Sequence, residues 1–165
     1  MAEDTRTNDV TIERIMDAPA DRVWSMWTDP VHFAAWYGPP GATVRILTMD
    51  VRVGGRRHVA MEMPTPDGPH RMWLAGEHLE IVPTERFVYT EAMADEDGAI
   101  LDPDVAGIPD DMLPITTIVV ELTDLGDRTK MHVTHVGVPA DSPGADGWNA
   151  SLDDFAAHLA TIEDA

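Results

Sequence analysis

Residues 147–162, GWNASLDDFAAHLATI, decide how the rest of this chain is read. Within them Trp148, Leu152, Phe155, Leu159 and Ile162 recur at alternating steps of four and three, which places them on one face of a single amphipathic helix. From Val44 to Val136 the sequence changes character, into short β-rich segments separated by Gly and Pro. The final helix is therefore expected to lie across a sheet and to supply half of its core. A helix held by a curved sheet is a natural way to make a pocket.

Working outward, residues 10–16 alternate as a first strand. Pro19 suits the first turn of a short helix carrying Val23, Trp24 and Trp27. Asp29-Pro30 repeats the device, with Asp as cap and Pro as opener of a second short helix through Phe33 and Trp36, closed by Gly38. Six strands are expected at about 43–50, 55–63, 70–82, 85–93, 115–123 and 128–137. The links between them are too short to hold crossover helices, so the sheet reads as antiparallel and the class as α+β. Residues 64–69 make a Pro/Asp/Gly hairpin turn. Residues 94–114 are longer than ordinary connections and read as a functional flap or a mobile insert.

The length of 165 residues fits one domain that buries roughly two thirds or more of its unfolded surface. The expected division is a flexible terminus over residues 1–9 and one domain over 10–165. The acidic, polar start has no hydrophobic stretch to serve as a signal peptide, and no apolar window is long enough to span a bilayer, so a soluble, cytoplasmic protein is expected. Thirty acidic side chains against eleven basic ones give a formal charge of −19, which repels phosphate backbones and anionic membranes; neither nucleic acid nor membrane is expected as a partner. Cysteine is absent, which removes disulfides, thiolate nucleophiles and zinc–thiolate sites together.

The order Trp24–Trp27, Trp36-Tyr37-Gly38-Pro39, Val53-Gly54-Gly55-Arg56, Gly76 with Glu80-Ile81-Val82-Pro83, Arg86-Phe87-Val88-Tyr89-Thr90, Thr134-His135 and Gly147-Trp148 resembles the AHSA1-like branch of the START/Bet v 1 (SRPBCC) superfamily. That branch takes its name from the C-terminal domain of the activator of Hsp90 ATPase. The resemblance covers nearly the whole chain and includes Gly107-Ile108-Pro109 in the long insert. It implies a helix-grip fold with a pocket between the sheet and the long helix. Related families include polyketide cyclases and carriers of lipids or other hydrophobic ligands. No one activity is implied.

Strand alternation then asks which polar groups share rows with apolar, pocket-facing ones. Arg57 shares a row with Val59, Met61 and Met63; Glu91 with Phe87, Tyr89 and Met93; His135 with Met131 and Val133. On the strand at 70–82, Met72 and Leu74 compete with Trp73, Leu79 and Ile81, Gly76 is a candidate bulge, and Glu77 is inward only in the Trp73 register. His135 and Glu91 are the candidate acid–base pair, with Glu77 as a substitute for Glu91. The competing structural reading has Arg57 paired with Glu91 and His135 bonded to backbone near the helix start. Trp36, Tyr37, Arg57, Met61, Trp73, Glu77, Tyr89, Trp148 and Leu152 are the expected ligand contacts, whereas Trp24 and Trp27 read as ordinary core.

Neither a cofactor nor a metal is expected. His132 and His135 stand three apart on a strand and point to opposite faces, Asp95-Glu96-Asp97-Gly98 lacks calcium-loop spacing, and no nucleophile elbow, phosphate loop or dinucleotide fingerprint is present. The leading expectation is binding of a small hydrophobic or aromatic molecule. A cyclase- or lyase-like enzyme using His135 with Glu91 or Glu77 is the alternative, and an Hsp90 co-chaperone-like module a third, weakened because 165 residues leave no room for a separate Hsp90-binding domain. A homodimer is also expected, from the apolar Ile100, Leu101, Val105, Ile108, Met112 and Leu113.

Overall fold

Seven strands form one sheet in the order β1-β7-β6-β5-β4-β3-β2, every neighbouring pair antiparallel. The computed structural model describes residues 9–38, 41–102, 104, 114–138 and 143–162, with residues 143–146 as backbone only. Along the chain they run β1 (Asp9–Met16), α1 (Ala20–Thr28), α2 (Pro30–Trp36), β2 (Thr43–Met49), β3 (Arg56–Met63), β4 (His70–Val82), β5 (Arg86–Ala94), β6 (Ile115–Asp124), β7 (Thr129–Val136) and α3 (Pro143–Thr161). This is an α+β helix-grip architecture, a curved antiparallel sheet around a C-terminal helix, as the sequence predicts.

Local chemistry explains the boundaries. The Asp29 carboxylate accepts from the Val31 amide at 2.9 Å and Pro30 occupies the first helical position, so α2 starts where an orphan donor is satisfied and a fixed φ is useful. It stops at Tyr37, and Gly38 follows with φ +96, a backbone state that suits glycine. The α3 helix begins at Pro143, one turn before the expected start at residue 147. The apolar periodicity of the sequence starts only at Trp148, so it gives no signal for the turn before it.

The core lies between the inner face of the sheet and helices α1, α2 and α3. Trp148, Leu152, Phe155 and Leu159 of α3 are all buried, as are Val23, Met26 and Trp27 of α1 and Phe33 and Trp36 of α2. Trp27 stands edge-on to Trp36 at 4.7 Å between ring centroids, and Trp36 packs on Phe155 at 4.8 Å. Their indole N–H groups find acceptors in Met131 Sδ and the Met26 carbonyl. Arg14 on β1 clasps Asp153 of α3 at 2.7 Å, and Ser151 donates to the Gly38 carbonyl at 2.6 Å, so the final helix is tied to both sides of the grip.

Two expectations for β4 are corrected. Leu74 lies opposite the buried Val59, Met72 opposite Met61, His78 opposite Tyr89 and Ile81 opposite Phe87, so these side chains face the core. The register with β5 slips between His78 and Glu80. A bulge there puts Met72 and Ile81, of opposite parity, on the same face, which is why the two apolar patterns compete in the sequence. Trp73 and Glu77 consequently point outward. Gly76 is not the bulge; a Cβ at that position would stand 1.9 Å from the Thr90 carbonyl oxygen, so glycine is there because β4 and β5 approach closely. Of residues 94–114, the first part folds back on β5 through an Ala94–Ile100 bridge and a Leu101 N–H to Met93 carbonyl bond of 2.9 Å. Val105, Gly107, Ile108, Pro109, Met112 and Leu113 lie outside the described residues.

Candidate functional site

A row of polar groups is set into the apolar inner face, and β3, β4, β5, β6 and β7 each contribute to it by strand alternation. The Trp148 indole donates to His135 Nδ1 at 2.9 Å, and His135 Nε2 lies 2.7 Å from Thr116 Oγ1. Because Nδ1 accepts, the proton sits on Nε2 and is donated to Thr116, whose hydroxyl passes its own to the Glu91 carbonyl at 3.1 Å. Both imidazole nitrogens are thus committed with the ring neutral. Burial pushes the His135 pKa down to about 4.

The Glu91 carboxylate accepts from the Tyr37 hydroxyl at 2.7 Å, and Tyr37 in turn accepts from Tyr89 at 3.0 Å. Burial raises the Glu91 pKa, against the opposing pull of the Tyr37 hydrogen bond and of the Arg57 charge. Burial also raises both tyrosines, more than Arg57 lowers them, so each phenol stays protonated as a donor. The guanidinium of Arg57 lies over the ring of Tyr89, its carbon 3.6 Å from the centroid, with the Phe33 centroid at 5.0 Å. Its Nη1 reaches His78 Nε2 at 3.2 Å, while His78 Nδ1 meets the Gly55 carbonyl, also at 3.2 Å. His78 therefore carries its proton on Nδ1 and offers Arg57 a lone pair; burial first, then Arg57, hold its pKa down at about 4.

Of the residues singled out from the sequence, Trp36, Tyr37, Arg57, Met61, Tyr89, Glu91, His135, Trp148 and Leu152 gather between the sheet and the helices. Trp73 and Glu77 do not. Trp73 lines a groove of about 480 Å³ on the outer face with Arg45, Leu47, Ala60 and Arg71, and Glu77 lines a second outer cleft of about 590 Å³ with Arg56 and Thr90. The Arg57–Glu91 ion pair does not form: each group has another partner. His135 bonds to side chains, Trp148 and Thr116, rather than to backbone. Sequence reasoning missed His78 and Thr116, both buried. The Met72 register, continued two residues at a time, reaches His78, so the pattern was present before the bulge obscured it. His132, as expected, points outward, 3.7 Å from Glu121. Among the described residues no group of three or more His, Asp or Glu is placed to hold a metal ion.

Fold and site together define a helix-grip protein with a polar row inside an aromatic wall. The chain belongs to the family described as Activator of Hsp90 ATPase homolog 1-like protein, which matches residues 17–160. None of the curated proteins matches it. Among solved structures it is similar to a Chromobacterium violaceum protein, with a TM-score of 0.75 and 25% identity over 94% of this chain and 99% of that one. An Arthrobacter aurescens protein superposes with a TM-score of 0.77 at 24% identity, covering 99% of this chain and 92% of the other. CalU16 from Micromonospora echinospora shares the fold more distantly, with a TM-score of 0.60 at 20% identity over 93% and 76%. No helix among the described residues is long and apolar enough to cross a membrane.

Proposed function

We propose that this protein binds a small hydrophobic or aromatic molecule between the sheet and α3. The observation that carries the reading is the pairing of an aromatic wall with a short row of fixed polar groups, Tyr37, Glu91, His135 and Arg57, in an otherwise apolar interior. Apolar walls supply affinity and a few oriented donors and acceptors supply selectivity, the usual composition of a small-molecule site. The family's fold supports a ligand-binding role in general terms. The acid–base alternative draws less support from the geometry, because neutral His135 has both nitrogens occupied and reaches Glu91 only through Thr116 and a backbone carbonyl. The Hsp90-activating alternative rests on the family description alone.

Native mass spectrometry of freshly purified protein tests the reading directly. A retained small molecule, or uptake of a naphthalene-sized probe, is the expected result. Trp148→Ala should weaken every ligand, by about tenfold for the loss of roughly 1.4 kcal/mol of wall contact. His135→Ala should alter which ligands are preferred. An empty protein that takes up no probe removes the proposal. We also propose a homodimer in the cytoplasm, supported among the described residues only by half-exposed Ile100 and by Leu101. Sedimentation at tens of micromolar protein showing only the 18.1 kDa species would overturn the dimer.

A further inference from the structure

Arg57 is only 3% exposed, yet its Nη2 has no hydrogen-bond partner. A buried cation is ordinarily matched by a carboxylate, because desolvating an unpaired charge is among the costliest things a fold can do. Here no carboxylate pairs with it among the described residues. His78 gives its Nε2 lone pair to Nη1, which is hydrogen bonding without charge compensation. Glu91, the acid on the same inner face, is held by Tyr37 instead. The rings of Tyr89 and Phe33 lie against the guanidinium and stabilise a cation without neutralising it. In a chain of formal charge −19 the interior site thus keeps a positive centre with an unused donor.

We propose that the ligand is an aromatic carboxylate whose anionic group accepts from Arg57 Nη2 while its ring lies among the aromatic side chains of the wall. The inference rests on the ligand-binding reading above and adds the charge of the ligand to it. A planar guanidinium fork matches a carboxylate, and a lysine ammonium would not reproduce that geometry. The net acidity of the chain repels anions at long range, so the buried cation is the feature that selects one.

The test compares naphthoate with its neutral isostere naphthamide, by calorimetric titration of the full chain in about 0.15 M salt, where long-range repulsion is screened. Naphthoate should bind about 10- to 100-fold more tightly, the range for a hydrogen bond to a charged group. Arg57→Gln should abolish that preference. Because Arg57→Gln also removes a buried group packed on Tyr89 and Phe33, the wild-type protein supplies a readout independent of the variant's folding. Nitrogen-15 spectra of the arginine side chains should show the Arg57 guanidinium protons shift and exchange more slowly with naphthoate but not with naphthamide. Equal affinities, with an unmoved Arg57 signal, would overturn the anionic ligand and leave the pocket intact. Failure of both probes to bind, with no small molecule retained in native spectra, would remove the pocket reading and this inference together.

Discussion

At His135 the side chain's surroundings decide its protonation state. Its two nitrogens are taken by Trp148 and Thr116, and its pKa falls from 6.5 to about 4 through burial. His78 falls by the same amount from the same first cause. Between those two values the unfolded chain binds protons that the folded chain refuses, so the stability the two histidines contribute is complete above about pH 6.5 and is lost as the pH falls toward 4. Glu91 works in the other direction: its raised pKa favours the fold below the ordinary value of 4.5 and that contribution is lost as the pH rises through the folded value. Imidazole NMR should therefore find His78 as the Nδ1–H tautomer and His135 as the Nε2–H tautomer, both neutral down to about pH 5. A midpoint near 6.5 for either ring would contradict its place in the hydrogen-bond row.

Elements were more legible than sites, and β4 explains the difference. Strand and helix positions follow from periodicity and turn chemistry, which are local: Asp29-Pro30 opens α2 and Gly38 ends it wherever the rest of the chain goes. The inward or outward sense of a strand is set by its partners. One slipped residue between His78 and Glu80 turned Trp73 and Glu77 outward and brought His78 in. The partnerships of Arg57 were equally invisible, since the approach of Phe33 and Tyr89 depends on how α2 docks on the sheet. Gly76 offers a sharp test of that inter-strand closeness. Gly76→Ala puts a methyl group into the Thr90 carbonyl and should cost about 3 kcal/mol or more in denaturant melts, the upper end for overpacking. Phe155→Ala, fully buried in α3, should cost a similar 3–5 kcal/mol by leaving a cavity beside Trp36. A loss below about 1 kcal/mol in either variant would mean that β4 or α3 is seated differently.

On the scale of the whole molecule, thirty acidic side chains against eleven basic ones leave a formal charge of −19 after every local pair, such as Arg86 with Glu80 and Glu121 and Arg71 with Glu62, has been counted. These pairs are exposed and individually weak, so the net repulsion remains and salt should relieve it. Raising the ionic strength from about 0.05 to 0.5 M should lift the melting temperature, by about 2–4 °C for each kcal/mol of repulsion removed. A flat or falling curve would show that the acidic groups are already balanced.

The pairing of β1 with β7 also carries a kinetic consequence. Val10 and Ile12 face His135 and Val133 across a ladder whose strands stand more than a hundred residues apart in the chain. A ribosome delivers β1 before the other described strands and β7, its one neighbour among them, after the rest, followed by the helix that Arg14 clasps. Until then β1 is an unpaired edge, and closing so long a loop is slow. The nascent chain is therefore most exposed to aggregation and to proteases while β1 and β7 are still apart.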